Sequence, residues 1–363
     1  MAYDATQSDH VNQIPEGLRM AFGPSYWSRR FARWPARLPS RPGYTVLVPV
    51  PGDLPVFLEL ALAVCRLQRH DNRVATLVIP DVRTPETDEI VARHRPSWPG
   101  PLELISLPRP ERWVLPRMRN PGRNHGVQLI AGISACTSSH VVLHDADLFL
   151  LDDRAHEQQY AHAASAGLSV LGVSPSWDPW YAQHGLELAA TWEMLACVGW
   201  LRGHPPHRLI GHDAVRFGEL HTFDTTFWAQ THTDPAKIEV RPLGDDLIHF
   251  NYVISTYRAY QRTAGPFHDD SFKLLLVRVL IDLFDTTGVQ YAVPSLQALA
   301  QGLGDPSAPV YYEEADLDVY TSFRAQLDGI VAGPWAASRR AQVTPALRAF
   351  DDWFARRRYA AAG

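Results

Sequence analysis

Between Tyr44 and Val173 the chain alternates short apolar runs with segments of helical period. Tyr44-Thr45-Val46-Leu47-Val48-Pro49-Val50 is a continuous β-type run, followed by Pro51-Gly52-Asp53 and a helical pattern through about Leu67, with Asp53 as its expected N-cap. A second run, Val74 to Ile79, ends at Pro80-Asp81, and a helix is predicted from Pro85 to about His94 with Thr84 as cap. A third strand, Leu102 to Leu107, closes on a Pro-rich loop. A helix from about Asn124 to Cys136 then leads into Val141-Val142-Leu143-His144-Asp145-Ala146-Asp147, and a further helix (Asp153 to Ser165) and strand (Leu168 to Val173) follow. Apolar strands alternating with helices over such a length predict an α/β domain, a mostly parallel sheet covered on both faces. Ligands of such sheets sit outside the carboxyl ends of the strands, where Asp81, Asp145 and Asp147 all fall.

The flanking regions read differently. Residues 1–43 are rich in Pro, Arg and aromatics and predict an extended N-terminal arm anchored by Trp27, Phe31 and Trp34. Residues 175–250 are dense in Trp, His, Gly and Pro, a composition shared by ring-stacking loops and by ordinary core packing. From Asp270 the pattern turns helical: Ser271 to Phe284 is strongly apolar, and two amphipathic helices follow at about Asp316 to Val331 and Pro345 to Arg357. The expected division is therefore an arm (1–43), an α/β domain (44–265, its halves 44–174 and 175–265) and a C-terminal helical extension (266–363).

A formal net charge of -5 offers no footprint for nucleic acid. The basic clusters Arg29-Arg30-Phe31-Ala32-Arg33 and Arg356-Arg357-Arg358 are short and read as solvated faces. Cys65, Cys136 and Cys197 form no ligand spacing, and Cys65 and Cys136 fall in apolar helical patterns, which fits a reducing compartment. With no apolar leader segment and no apolar run of about 18 residues, the expectation is a cytoplasmic protein without an integral membrane segment.

The chemistry concentrates at Asp145 and Asp147. On a strand, residues two apart share a face, so the carboxylates converge, and in an apolar setting their mutual repulsion calls for a cation. Hard oxygen ligands suit magnesium or manganese, which such sites hold together with substrate phosphates. The alternative is that one Asp caps the next helix and the other is solvated.

The strand order, with Arg123-Asn124-His125-Gly126 ahead of a strand ending in Asp145-Ala146-Asp147, resembles the GT-A (Rossmann-like) glycosyltransferases, family 2 members in particular. The likeness covers residues 44–174 well and 175–250 loosely. It implies a divalent cation (Mn2+ or Mg2+) and a nucleotide-diphosphate sugar donor. Pro49, Val50 and Pro51 would lie against base and ribose, and Asp81 would accept a hydrogen bond from the base. Arg123 and Asn124 would lie near the donor, with Arg123 on the diphosphate; Asp145 and Ala146 would lie at the ribose, with Asp145 and Asp147 on the metal. His249, in Asp246-Leu247-Ile248-His249-Phe250-Asn251, resembles the His that completes the metal site in retaining GT-A families, with His268 in reserve. Family 2 chains carry polar residues where this one has Pro49-Val50-Pro51-Gly52.

An inverting transfer needs a carboxylate to take the acceptor proton. Glu193, Asp213, Glu219 and Asp224 are candidates; Asp224 and Glu193 are favoured because aromatics, Thr and His surround them, and Asp245-Asp246 is a further acidic pair beside His249. The expected activity is sugar transfer to a hydroxyl acceptor, a soluble small molecule or saccharide. A sugar-phosphate nucleotidyltransferase is the second reading, disfavoured because Pro51-Gly52-Asp53 lacks a Gly-rich basic loop. A catalytically silent glycan- or partner-binding module is the third.

Overall fold

The computed structural model describes residues 24–35, 40–118, 121–241, 247–284, 291–313 and 317–362. Its centre is a seven-stranded sheet in the order β10-β6-β7-β4-β1-β2-β3. The strands are β1 (Arg41–Val50), β2 (Arg73–Pro80), β3 (Leu102–Leu104), β4 (Ser138–His144), β6 (Val170–Gly172), β7 (Glu193–Cys197) and β10 (Ile238–Val240). β1 pairs in parallel with β2 and β4, β2 with β3, and β6 with β10. β7 alone is reversed, running antiparallel to both β4 and β6. The expected mostly parallel α/β sheet is what forms.

Pleat alternation distributes the helices. Leu47 of β1 meets α5 (Pro121–Ala135), where Gly132 sits so close that an added Cβ would lie 3.0 Å from the Leu47 side chain. Tyr44, odd-numbered steps away on the opposite face, packs on His156 and Tyr160 of α6 (Ala155–Ala166). Helices therefore cover both faces. α3 (Pro85–His94) begins as the sequence predicts, with Thr84 and Thr87 forming a reciprocal capping box. α2 (Pro55–Leu67) starts two residues after Asp53, which lies in the preceding turn rather than at a cap.

Chain contacts define two compact units that interleave in sequence, unlike the consecutive boundaries at 43 and 265 that the pattern predicts. The first comprises residues 1–55, 69–145 and 156–243 and contains the sheet. The arm is not wholly extended: α1 (Pro24–Arg30) buries Trp27 and Phe31 in the core against residues such as Leu115, Val127 and Leu209, and Arg41 to Gly43 belong to β1. The second unit comprises 56–68, 146–155 and 244–363. It holds α2, the pair β5 (Leu148–Leu150) and β11 (Leu247–His249), and a helical group of α10 (Val253–Arg262), α11 (Ser271–Phe284), α12 (Leu296–Gln301), α13 (Leu317–Ala332) and α14 (Arg340–Ala362). α11 is buried nearly all round, its Phe272 in contact with the rings of Tyr312, Tyr320, Phe323 and Phe354. α14 starts five residues before the expected Pro345, which the helix carries inside it. No helix among the described residues is long and apolar enough to cross a membrane. The described cysteines are free thiols, Cys65 and Cys136 buried.

The loop after β1 is held without slack. Asp81 Oδ1 accepts hydrogen bonds from the backbone N–H of Gly52 and Val82, each at 2.8 Å, and Gly52 is so close to the opposing chain that a Cβ would lie 1.6 Å from the Val82 carbonyl oxygen. Gly52→Ala is expected to destabilise the fold by about 1–3 kcal/mol through backbone displacement, read as a lower denaturation midpoint in urea; an unchanged midpoint would contradict this packing.

Candidate functional site

β4 ends at His144, so Asp145 and Asp147 converge through a turn and not along one strand face as the sequence suggests. The turn delivers Asp147 immediately before β5, and β5 pairs with β11 so that Leu148 stands opposite His249. The Phe250 N–H donates to the Asp147 carbonyl, and His249 Nε2 lies 3.6 Å from Asp147 Oδ1. Asp147 and His249 thus face each other across the β5–β11 pair, and Asp145 stands two residues before Asp147 in the same turn. The grouping is set locally, since the acids share one tripeptide and His249 is paired to the strand that leaves it. Donors around one hard cation stand at most about 4–5 Å apart, so these residues fit such an ion. Two carboxylates with one imidazole form a donor set suited to manganese, because imidazole favours transition metals and carboxylate the harder ions.

Asp145 has a second neighbour that the sequence reading missed. His125, one turn into α5, places Nε2 at 3.1 Å from Asp145 Oδ1. The signal was its place beside Asn124, one turn into the helix that precedes the acidic pair. Arg123 rests its guanidinium on the Trp27 ring at 5.8 Å, and burial, opposed by Asp213, lowers its pKa. Asn124 Oδ1 is buried with no hydrogen-bond partner among the described residues. Gln128, further along the same helix, donates to the carbonyls of Val50 and Ile79 and braces the ends of β1 and β2. A lone amide within Val127-Gln128-Leu129-Ile130 was the available sign of it.

The other expected residues divide. Pro49 and Val50 are buried strand positions, which leaves Pro51 as the partly exposed member of that trio. Ala146 is buried, and one oxygen of Asp81 is committed to the loop described above. Asp224 is partly exposed; its Oδ1 accepts from the Thr225 N–H, and Thr225 Oγ1 donates to the carbonyl of Gly122 at the start of α5. Thr226 next to it is buried at φ 64°, a left-handed conformation that costs a β-branched residue about 1–3 kcal/mol. It is held there by its N–H to the Leu209 carbonyl and by Gln230 Nε2 donating to its hydroxyl.

Asp213 and Glu219 serve the hairpin of β8 (His212–Arg216) and β9 (Glu219–Phe223): Asp213 accepts from Thr222 Oγ1, and Glu219 from Trp180 Nε1. His268 stacks on Tyr311 and faces Glu313. Asp245 and Asp246 lie outside the described residues.

Glu193 is not an acceptor-facing base. It opens β7 opposite His144, is wholly buried, and forms a 2.7 Å hydrogen bond with His144 Nδ1, with His156 Nε2 at 3.3 Å and Gln159 Nε2 donating at 3.3 Å. Burial alone would raise its pKa, but the attraction of His144 and His156 outweighs that and holds it at about 2. His156 is lowered by burial, against the pull of Glu193.

No family model and no curated protein matches the chain. Among solved structures it is similar to a mannosyltransferase from Pyrobaculum calidifontis in complex with GDP-Man and Mn2+ (16% identity, 95% of each chain, TM-score 0.41). It is also similar to glucosyl-3-phosphoglycerate synthase from Mycobacterium tuberculosis in complex with Mn2+, UDP and glucosyl-3-phosphoglycerate (14% identity, 65% of this chain and 80% of that one, TM-score 0.37). A third is S. aureus TarS 1-349 in complex with UDP (12% identity, 68% and 72%, TM-score 0.34). Likenesses this low assign neither a fold family nor an activity.

Because Glu193 titrates below the ordinary 4.5 in the folded state, it contributes stability above that pH, and the contribution is lost as pH falls toward about 2. Glu193→Gln is expected to flatten the decline of urea stability below pH 4.5, and an unchanged slope would show that this carboxylate does not set it.

Proposed function

We propose that the chain is a metal-dependent glycosyltransferase of the GT-A type, moving a sugar from a nucleotide-diphosphate donor to a hydroxyl acceptor. The observation that carries this reading is the acidic pair Asp145 and Asp147 on the turn that leaves the carboxyl end of β4, the end at which open α/β sheets bind ligands, with His249 of β11 facing Asp147 at 3.6 Å. Asp145, Asp147 and His249 would hold the cation, which when bound supplies Lewis-acid neutralisation of charge developing on the leaving diphosphate. Around it, the start of α5 offers Arg123 and Asn124 toward the donor, and the buried, unpartnered Asn124 Oδ1 has an acceptor's capacity to spare. Pro51 and Asp81, at the ends of β1 and β2, are the residues assigned to the base.

Asp224 is the assigned general base. Three features support it: its partial exposure, the tie of Thr225 to the same helix end that brings His125 to Asp145, and the strained backbone at Thr226. Such strain concentrates where a side chain must be aimed. In this transfer the acceptor O–H proton passes to Asp224, the oxygen bonds to the anomeric carbon, and the bond from that carbon to the diphosphate oxygen breaks. The nucleoside diphosphate departs, and configuration inverts. An acceptor that is itself a saccharide or contains a ring is supported by Trp177, which is 63% exposed and whose ring leans on that of Phe227 at 5.9 Å, Phe227 being three residues from Asp224 in sequence.

Calorimetric titration with UDP and GDP, each with and without manganese, tests the donor site. One nucleotide is expected to bind only with the metal, and Asp147→Ala to lose that binding while unfolding at the wild-type midpoint. Undiminished binding by folded Asp147→Ala would refute the assignment. Asp224→Asn is expected to lower turnover about 10²- to 10⁴-fold with nucleotide affinity unchanged; a variant that turns over at the wild-type rate would remove Asp224 as the base.

A further inference from the structure

Beneath the acidic turn lies a second group of ionisable side chains, His144, His156 and Glu193, none of them exposed to solvent. The sequence marks Glu193 as a base, yet a carboxylate so enclosed touches no substrate. Its surroundings give it another task. His144, the last residue of β4, and Asp145 just after it are tied to Glu193, the first residue of β7, and Trp192 just before it: the Asp145 N–H donates to the Trp192 carbonyl at 2.9 Å, and His144 Nδ1 is bonded to Glu193 Oε2 at 2.7 Å. From the other side α6 brings His156 and Gln159 to Glu193 Oε1. The carboxylate is thus clamped by two elements, and the residue it grips directly precedes Asp145.

The three ligand atoms of this buried group also lie within 4.8 Å of one another, so a second cation has to be weighed. A dication there would place two positive charges in a buried pocket that offers one carboxylate and already feels the Arg73 guanidinium, whose field acts against protonation of His156. A metal is therefore a poor occupant of this pocket.

We propose that Glu193 is a positioning residue which, through His144, fixes the Asp145 carboxylate for cation binding. This rests on the reading of Asp145, Asp147 and His249 as the metal site. Groups hydrogen-bonded to a metal ligand typically change metal affinity 10- to 100-fold when removed; Glu193 acts one residue further back, through His144, which sets the expectation at the low end of that range. A purely structural role would change unfolding and leave the affinity of the folded protein alone.

The experiment is manganese titration of the full chain, followed by the electron paramagnetic resonance of the free ion, alongside thermal unfolding. Its variants are Glu193→Gln and the double variant His144→Leu/Glu193→Leu, in which both members of the buried pair become apolar and stability can be retained. Wild type is expected to bind manganese, and the folded double variant to bind it at least about tenfold more weakly. Should the double variant not fold, Glu193→Gln decides by the same criterion. Wild-type affinity in the deciding variant overturns the positioning role alone. Absence of binding by wild type overturns the metal site and this inference with it. Manganese retained by Asp147→Ala but lost by Glu193→Gln would make the buried group itself the cation site and also overturn the proposal.

Discussion

The end of β4 is the point on which the site depends. β4 stands between parallel β1 and antiparallel β7, and the reversed strand ends its ladder at the pair His144 and Glu193. Beyond that pair the chain leaves the sheet into the turn that carries both acids. A carboxylate sealed in a core is tolerated only when charge-assisted hydrogen bonds replace its water. Glu193 meets that condition with His144, His156 and Gln159, drawn from β4 and α6. The same bonds that make the burial tolerable make the turn's starting point rigid.

Other polar braces act at neighbouring strand ends. Gln128 joins the last residues of β1 to β2, and Asp81 gathers the loop after β1 against the end of β2. α5 contributes both Gln128 and, a turn earlier, His125 to Asp145, so one helix aligns three strand ends with the acidic turn. Most of these bonds are satisfied within the sheet and its covering helix. Asp145, Asp147, His249 and Asp224 are partly exposed.

What was legible in the sequence was local. β1, β2 and α3 follow from continuous apolar runs, helical period and a Thr cap, because burial on both faces and capping leave marks a few residues long. The acidic pair is marked by residue type and spacing and His249 only by the family resemblance, while the approach of His249 to Asp147 comes from a β5–β11 pairing that no strand periodicity encodes. The reversal of β7 was not legible: Glu193-Met194-Leu195-Ala196-Cys197 reads equally well in either direction. Glu193 was misjudged for the same reason, since the histidines that enclose it come from distant strand and helix positions. Pro345 misled because a proline suits a helix start, whereas α14 accepts it one turn in. The interleaving of the two units depends on long-range contacts of 56–68 and 146–155 with the C-terminal helices, which local pattern does not carry.

The central claim is that Asp145, Asp147 and His249 together hold a divalent cation. Anomalous diffraction from crystals grown with manganese and a nucleoside diphosphate tests it most directly. The account expects one strong manganese peak within bonding distance of all three side chains, with the diphosphate completing the coordination. A peak elsewhere, or none beside a bound nucleotide, would contradict it.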